Sequence, residues 1–223
     1  MEKFIALNLK AYPESAGEGG VRLAKIADGV AAQSQTKIIV CPQPAQLELI
    51  ARQLRHATAF AQHSDAVDAG ARTGWMPVEG VRAAGAAGTL VNHSEHRVVA
   101  EKVKFVVEKA SVIGGLKVMV CAADLDESLA FATALEPWAV AYEPPELIGS
   151  GISVSSAQPE IVEDFVKRMR EQAPNVIPVV GAGVSTAADV STCFKLGADG
   201  VLLASAFVKS KDPKALLEEM VRV

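Results

Sequence analysis

The chain has 223 residues, half of them hydrophobic, and its 22 basic and 26 acidic side chains give a formal net charge of −4. A chain of this length and apolar content can bury a large core, and we expect one domain spanning residues 1–223. The acidic balance, with basic residues scattered along the chain, argues against nucleic acid as a partner.

Cysteine usage points to a reducing compartment. Cys41, Cys121 and Cys193 are odd in number, lie far apart and form no Cys-x-x-Cys pair, so neither a disulfide framework nor a zinc ribbon is indicated. No apolar run approaches the roughly 18 residues that span a bilayer, and the amino terminus does not resemble an export signal. We therefore expect a cytoplasmic protein with no membrane contact.

Short apolar runs rich in β-forming residues recur along the chain and predict eight strands. They are Phe4–Leu7, Lys37–Cys41, Ala57–Ala61, Ala86–Val91, Lys117–Cys121, Trp138–Tyr142, Val176–Val180 and Gly200–Ala204.

Stretches with helical spacing of apolar residues separate these runs, and Asp124 and Ser185 are candidate amino-terminal caps. The clearest helical stretches include those at Leu47–Leu54, Val98–Ala110, Leu125–Ala134, Ile161–Met169, Ala187–Phe194 and Pro213–Met220.

Apolar strands that alternate with helices predict parallel pairing with both faces covered. Eight repeats of about 28 residues fill the chain, as in a short (β/α)₈ barrel, which is an α/β fold. The rival is a doubly wound open sheet. A nucleotide-binding sheet of that kind usually has a glycine-rich turn after its first strand, whereas here Asn8-Leu9-Lys10 follows.

The segment Trp138–Gly151 predicts a buried strand that delivers an acid, Glu143, to a hinged lid. Two prolines stiffen one end of this lid, two glycines loosen the other, and its tip is apolar at Leu147-Ile148. Partial desolvation under a lid raises a carboxyl pKa towards the range of a general base. An acid that merely ends a strand before a proline-rich turn is the alternative.

Other strand ends also carry groups suited to chemistry, because barrel active sites lie at the carboxyl ends of the strands. Gly181-Ala182-Gly183 and Ala204-Ser205 are small enough to let backbone N–H groups approach a phosphate. Asn8 and Lys10 are two residues apart, so on a strand both side chains point to one face, and a cation there suits a bound phosphate.

His93, Glu95 and His96 raise the question of a metal site, with His63 and Asp65 as further ligands. The spacing completes no convincing tetrahedral set, and we expect no metal. His93 is then either a structural histidine or a hydrogen-bond donor to substrate.

Four motifs stand in order at the ends of strands one, four, six and seven, and together they resemble the triosephosphate isomerase family. They are Asn8-x-Lys10, Asn92–Arg97, Tyr142–Gly151 and Gly181–Ser185. The short chain is similar to archaeal members, although its lid sequence and its Gly-Ala-Gly turn depart from the bacterial and eukaryotic pattern.

The resemblance implies an isomerase of glycolysis and gluconeogenesis that interconverts D-glyceraldehyde 3-phosphate and dihydroxyacetone phosphate without a cofactor; the family is a standard example of this chemistry. It implies that Glu143 is the general base, that His93 is a neutral electrophile, and that Lys10, supported by Asn8 and Glu95, stabilises negative charge. It also implies that substrate phosphate is bound by backbone N–H groups of Ile148, Gly183, Ala204 and Ser205.

The resemblance further implies a homo-oligomer, a dimer or a tetramer, in which the loop after strand three docks beside a neighbour's site. Trp75 and Met76 in that loop are too apolar for an idle surface, although both could instead fold back on their own barrel.

Two other functions remain open on residues alone. A phosphosugar aldolase or synthase could share the phosphate site, but a Schiff-base enzyme needs a lysine with apolar walls and Lys10 has polar neighbours. A phosphate-binding barrel without turnover would not need Glu143, His93 and Lys10 together.

Overall fold

The computed structural model describes residues 2–144 and 159–223. Eight parallel strands pair in chain order, and β8 pairs with β1 to close the barrel. The strands are β1 (Phe4–Asn8), β2 (Lys37–Cys41), β3 (Thr58–Ala61), β4 (Gly88–Val91), β5 (Lys117–Ala122), β6 (Ala139–Tyr142), β7 (Ile177–Val180) and β8 (Gly200–Leu203). The predicted (β/α)₈ barrel is confirmed, and the open sheet is wrong.

Helices cover the outside of the barrel between the strands. They are α1 (Glu18–Ala31), α2 (Leu47–Ala51), α3 (Val78–Ala83), α4 (Ala100–Ile113), α5 (Leu125–Leu135), α6 (Pro159–Gln172), α7 (Ala187–Lys195), α8 (Ser205–Val208) and α9 (Pro213–Met220). The short helices α3 and α8 were not predicted, since fewer than two turns carry little periodicity.

One of the two predicted caps is wrong. Asp124 caps α5, because its carboxylate accepts a hydrogen bond from the Glu127 N–H. The cap of α7 is Thr186 rather than Ser185: the Thr186 hydroxyl and the Asp189 carboxylate each accept the other residue's backbone N–H. This reciprocal arrangement needs an acid three residues after the cap, and Asp189 stands at that spacing from Thr186.

Aromatic side chains close the amino-terminal end of the barrel. The Trp138 ring lies 5.1 Å from the Phe4 ring and 5.4 Å from the Phe60 ring. Glycines make the space, because a Cβ at Gly200 would lie 2.3 Å from the Phe4 ring and one at Gly88 would lie 2.5 Å from the Phe60 ring. With this end filled, the carboxyl ends of the strands are left to form a site.

An acid on α1 anchors the loop between α2 and β3. One oxygen of Asp28, Oδ1, accepts hydrogen bonds from the backbone N–H groups of Arg55, His56 and Ala57 at 2.9, 2.7 and 2.8 Å. Partial burial raises the pKa of this carboxyl, but the three donors outweigh it and the net pKa is lowered. The contact fixes where β3 begins.

The loop between β3 and α3 closes at its base. Asp65 N–H donates to the Met76 carbonyl at 2.8 Å, and Met76 N–H donates to Asp65 Oδ2 at 2.7 Å. Trp75 is 49% exposed, whereas Met76 packs partly buried against its own barrel. The alternative that these side chains fold back on their own barrel therefore describes Met76 and not Trp75.

The lid predicted after Pro144, including Ile148, lies outside the described residues. Among the helices of the described ranges, none is long and apolar enough to cross a bilayer.

Candidate active site at the carboxyl end of the barrel

A cavity of about 80 Å³ opens at the carboxyl ends of β1, β4, β6, β7 and β8. It brings together seven of the predicted site residues. Its lining is Asn8, Lys10, Tyr12, His93, Glu143, Gly181, Gly183, Val184, Ser185, Leu202, Leu203, Ala204 and Ser205.

Glu143 follows β6 directly and points into the barrel mouth with only 2% of its surface exposed. Burial raises its pKa to about 7, although the Ser94 N–H and the Cys121 thiol both hydrogen-bond the carboxylate and oppose that shift. The Ser94 nitrogen is 3.3 Å from Oε2. A carboxyl that is half ionised near neutral pH is suited to general-base work.

Gly181, the first residue after β7, sets the position of the Glu143 side chain. A Cβ at this position would lie 2.6 Å from Glu143 Cγ and 3.1 Å from Oε1. The glycine is thus required by packing against the acid.

His93 follows β4 and is 8% exposed. Its Nδ1 accepts a hydrogen bond from the Glu95 N–H at 3.1 Å, so the ring proton of the neutral form lies on Nε2. Burial, and then the charge of Lys10, lower the pKa of His93 to about 4. The Nε2 atom lies 3.5 Å from Glu143 Oε1, so a neutral donor and a base face the same cavity.

Lys10 lies beyond the end of β1, so the prediction that Asn8 and Lys10 share a strand face is wrong. Its φ is +46°, in the left-handed region, and its N–H donates to Asn8 Oδ1 at 3.0 Å. Gln62 Nε2 donates to the Lys10 carbonyl at 3.1 Å. These two side-chain contacts turn the chain so that Lys10 still reaches the cavity.

Glu95 holds the other end of Lys10. The Lys10 Nζ atom lies 2.8 Å from Glu95 Oε1, and the lysine side chain is 14% exposed against 57% for the acid. Glu95 contacts His93 through its backbone and Lys10 through its carboxylate, so one residue orients both.

The remaining wall is built from small residues. Gly183, with a φ of +69°, and Ala204 and Ser205 at the start of α8 line the same cavity as Glu143 and His93. They leave space for an anion next to Lys10, whereas the contacts of Ile148 lie outside the described part of the chain.

Sequence reasoning missed Tyr12 in the lining and both hydrogen-bond donors to Glu143, Ser94 and Cys121. Cys121 could have been found, because it lies two residues from Met119 on β5 and side chains two apart share a face. Ser94 contributes only a backbone N–H, which no residue type marks in a sequence.

His63, His96 and Asp65, considered above as metal ligands, are not among the residues that line the cavity. The two imidazole rings stack with centroids 4.0 Å apart, and His63 Nε2 is 3.5 Å from Asp65 Oδ1. Over residues 2–144 and 159–223, no three His, Cys, Asp or Glu side chains are grouped so that they could hold a metal ion.

Comparison with known proteins agrees with this geometry. Residues 3–221 match the family model described as triosephosphate isomerase. The chain is 44% identical to the triosephosphate isomerase of Methanobacterium bryantii, over 97% of this chain and 95% of the relative. It is 42% identical to that of Caldivirga maquilingensis, over 98% and 96%, and 40% identical to that of Methanocaldococcus jannaschii, over 98% of each. The chain belongs to the triosephosphate isomerase family and is similar over nearly its full length to archaeal members.

Proposed function

We propose that this protein interconverts D-glyceraldehyde 3-phosphate and dihydroxyacetone phosphate, a step of glycolysis and gluconeogenesis. The observation that carries the proposal is the pairing of Glu143 Oε1 with His93 Nε2 at 3.5 Å in one cavity. An aldose–ketose interconversion moves a proton between neighbouring carbons, which calls for a base and a hydrogen-bond donor on the adjacent oxygens.

In the proposed reaction, Glu143 takes a proton from C1 of dihydroxyacetone phosphate. The electron pair of the broken C–H bond forms the C1–C2 double bond, and the C2 carbonyl oxygen gains negative charge. Return of the carbon-bound proton to C2, with transfer of the O1 proton to O2, gives the C1 aldehyde and the C2 hydroxyl. The pKa of Glu143, raised by burial to about 7, supports the role of base.

His93 acts as a neutral donor from Nε2 to the two substrate oxygens. Its lowered pKa of about 4 supports this role, because the ring is then neutral at physiological pH. A neutral imidazole donates a hydrogen bond from Nε2 to the negatively charged enediolate oxygens. Lys10, held by Glu95 and Asn8, balances the charge that develops on those oxygens and also faces the phosphate.

The phosphate is placed against Gly183, Ala204 and Ser205, with the Ile148 N–H joining from the lid. The small side chains at this wall and the nearby Lys10 support the placement. None of these steps uses a metal or an organic cofactor.

We also propose a cytoplasmic homo-oligomer, a dimer or tetramer. The exposed Trp75 ring on the loop after β3 supports an interface there. All three cysteines are buried, and within the described ranges none of them is in a disulfide, as suits a reducing compartment.

A coupled spectrophotometric assay of glyceraldehyde 3-phosphate conversion tests the function, with Glu143→Gln alongside the wild type. Turnover that survives a chelator and falls by about 10³-fold or more in the variant is the expected result. Absent turnover, with a phosphate-bearing analogue still bound, would leave a binding protein. A borohydride-trapped lysine adduct would indicate an aldolase, which the ion-paired Lys10 disfavours because a protonated amine is not a nucleophile.

A further inference from the structure

His63, the second residue after β3, has no role in the proposed mechanism. Its side chain is only 14% exposed, and its ring lies flat on that of His96, with a centroid distance of 4.0 Å and an interplanar angle of 21°. His96 in turn belongs to the segment that carries His93 and Glu95.

His96 contacts His93 directly. The His96 N–H donates to the His93 carbonyl at 2.7 Å, and this bond closes the tight turn from which Glu95 N–H reaches His93 Nδ1 at 3.1 Å. A displacement of His96 would therefore disturb the Glu95 N–H to His93 Nδ1 hydrogen bond, which fixes the His93 tautomer.

His63 is itself firmly placed. It precedes Ser64, whose hydroxyl donates to the Met76 carbonyl at 3.2 Å, and the two hydrogen bonds between Asp65 and Met76 close the loop behind it. The His63 side chain is mostly buried and its loop is held by these hydrogen bonds, whereas His96 is exposed.

We propose that His63 is a positioning residue for the isomerase reaction: its ring, stacked on His96, holds the His93–His96 turn in the geometry that the neutral imidazole of His93 requires. The inference rests on the proposed function. His63 does not line the cavity, so it would act on the reaction only through its stacking on His96.

The stack of His63 on His96 should weaken at low pH, where both rings can be protonated. The charged groups facing His63 are His96 and Lys102, which disfavour its protonation, and Asp65, which favours it; burial is the largest influence and lowers its pKa. His96 faces His63 and lies near His93, with Glu95 beside it in the chain. One protonated ring can stack on a neutral one, but two cations about 4 Å apart repel each other.

The test compares His63→Phe, which keeps a flat ring without a titrating nitrogen, with His63→Ala, which removes the ring. We expect His63→Ala to lower kcat on the order of 10-fold at pH 8 with little change in KM, and His63→Phe to restore most of it. Below pH 6, wild-type activity should fall more steeply than that of His63→Phe. The substrate phosphate titrates identically in every variant, so it does not contribute to this difference. His56→Ala, which removes an exposed histidine elsewhere, is the matched control.

A second measurement does not depend on turnover. The ring ¹⁵N resonances of His93 report its tautomer, and we expect them to shift in His63→Ala and to return in His63→Phe. Wild-type kinetics in His63→Ala, or equal losses in the alanine and phenylalanine variants, would overturn the inference while leaving the proposed function intact. An inactive wild-type protein would instead overturn the proposed function. An unchanged His93 ¹⁵N spectrum in His63→Ala would overturn the positioning role, whatever the activity of the wild type.

Discussion

Gly181 leaves the space that the Glu143 side chain occupies: a methyl group on its α-carbon would lie 2.6 Å from Glu143 Cγ. The residues that directly follow the neighbouring strands β7 and β6 thus define where the carboxylate stands. The backbone at Gly181 needs no left-handed conformation, so the requirement is one of space alone.

We therefore expect Gly181→Ala to displace the carboxylate and lower kcat on the order of 10²-fold while the protein stays folded. The change is measured by steady-state kinetics together with a thermal melt. Gly29→Ala is the control: apart from the backbone of α1 itself, nothing would lie within 4 Å of a Cβ there, and alanine should stabilise α1 by about 0.5–1 kcal/mol. Full activity in Gly181→Ala would show that Glu143 does not need its observed position.

The pH dependence of activity should follow the ionisation of Glu143. Because burial raises its pKa to about 7, kcat/KM should level off above that value and decrease below it, before the substrate phosphate and the His63–His96 pair add to the loss below about pH 6. His93 should contribute nothing in this range, since its pKa is lowered to about 4. A plateau that extends down to pH 5 would contradict the base assignment.

The same ionisation should cost stability. A folded-state pKa raised from 4.5 to about 7 means that the stability contributed by Glu143 is complete below pH 4.5 and is lost as the pH rises through about 7. Glu143→Gln cannot ionise, so at pH 8 it should unfold with up to roughly 3 kcal/mol more free energy than the wild type.

Urea unfolding at pH 5 and pH 8 measures this difference, which should shrink at the lower pH. A variant less stable than the wild type at pH 8 would mean that the ionised carboxylate is well compensated where it stands. In that case, removal of the buried charge would not stabilise Glu143→Gln.

Asp28 should be a stability residue with no effect on chemistry. Asp28→Ala leaves three backbone N–H groups without their acceptor and should cost about 1–3 kcal/mol, with Asp28→Asn intermediate because its amide oxygen can still accept. Since the folded pKa is lowered, the wild type should lose this advantage as the pH falls below 3.8. Chemical unfolding measures the cost, and unchanged kcat is the internal control.

The barrel could be predicted because its signal is local and repeated. Runs such as Lys37–Cys41 are apolar, about one strand long, and separated by helical stretches, so period and order alone define the fold. Site residues followed from that rule, since Glu143 and His93 come within two residues of the ends of strands that must end at one rim.

What could not be predicted depends on contacts between distant parts of the chain. The left-handed turn at Lys10 exists because Asn8 and Gln62 hold its two backbone groups, and Gln62 is 52 residues away. The thiol of Cys121 contacts Glu143 only because β5 lies beside β6. By contrast, the Thr186 cap could have been predicted from the sequence, because Asp189 stands three residues after it. The cap was instead assigned to Ser185.

The pairing of β1 with β8 places a constraint on how the molecule is made. Until the ribosome has released Gly200–Leu203, β1 and β7 each keep an unpaired row of backbone groups, which is a template for joining another chain. A nascent chain therefore has two unpaired sheet edges between the synthesis of β7 and that of β8, and the addition of β8 removes both at once. Chains stopped at Asp199 should aggregate, whereas a supplied β8 segment should rescue them.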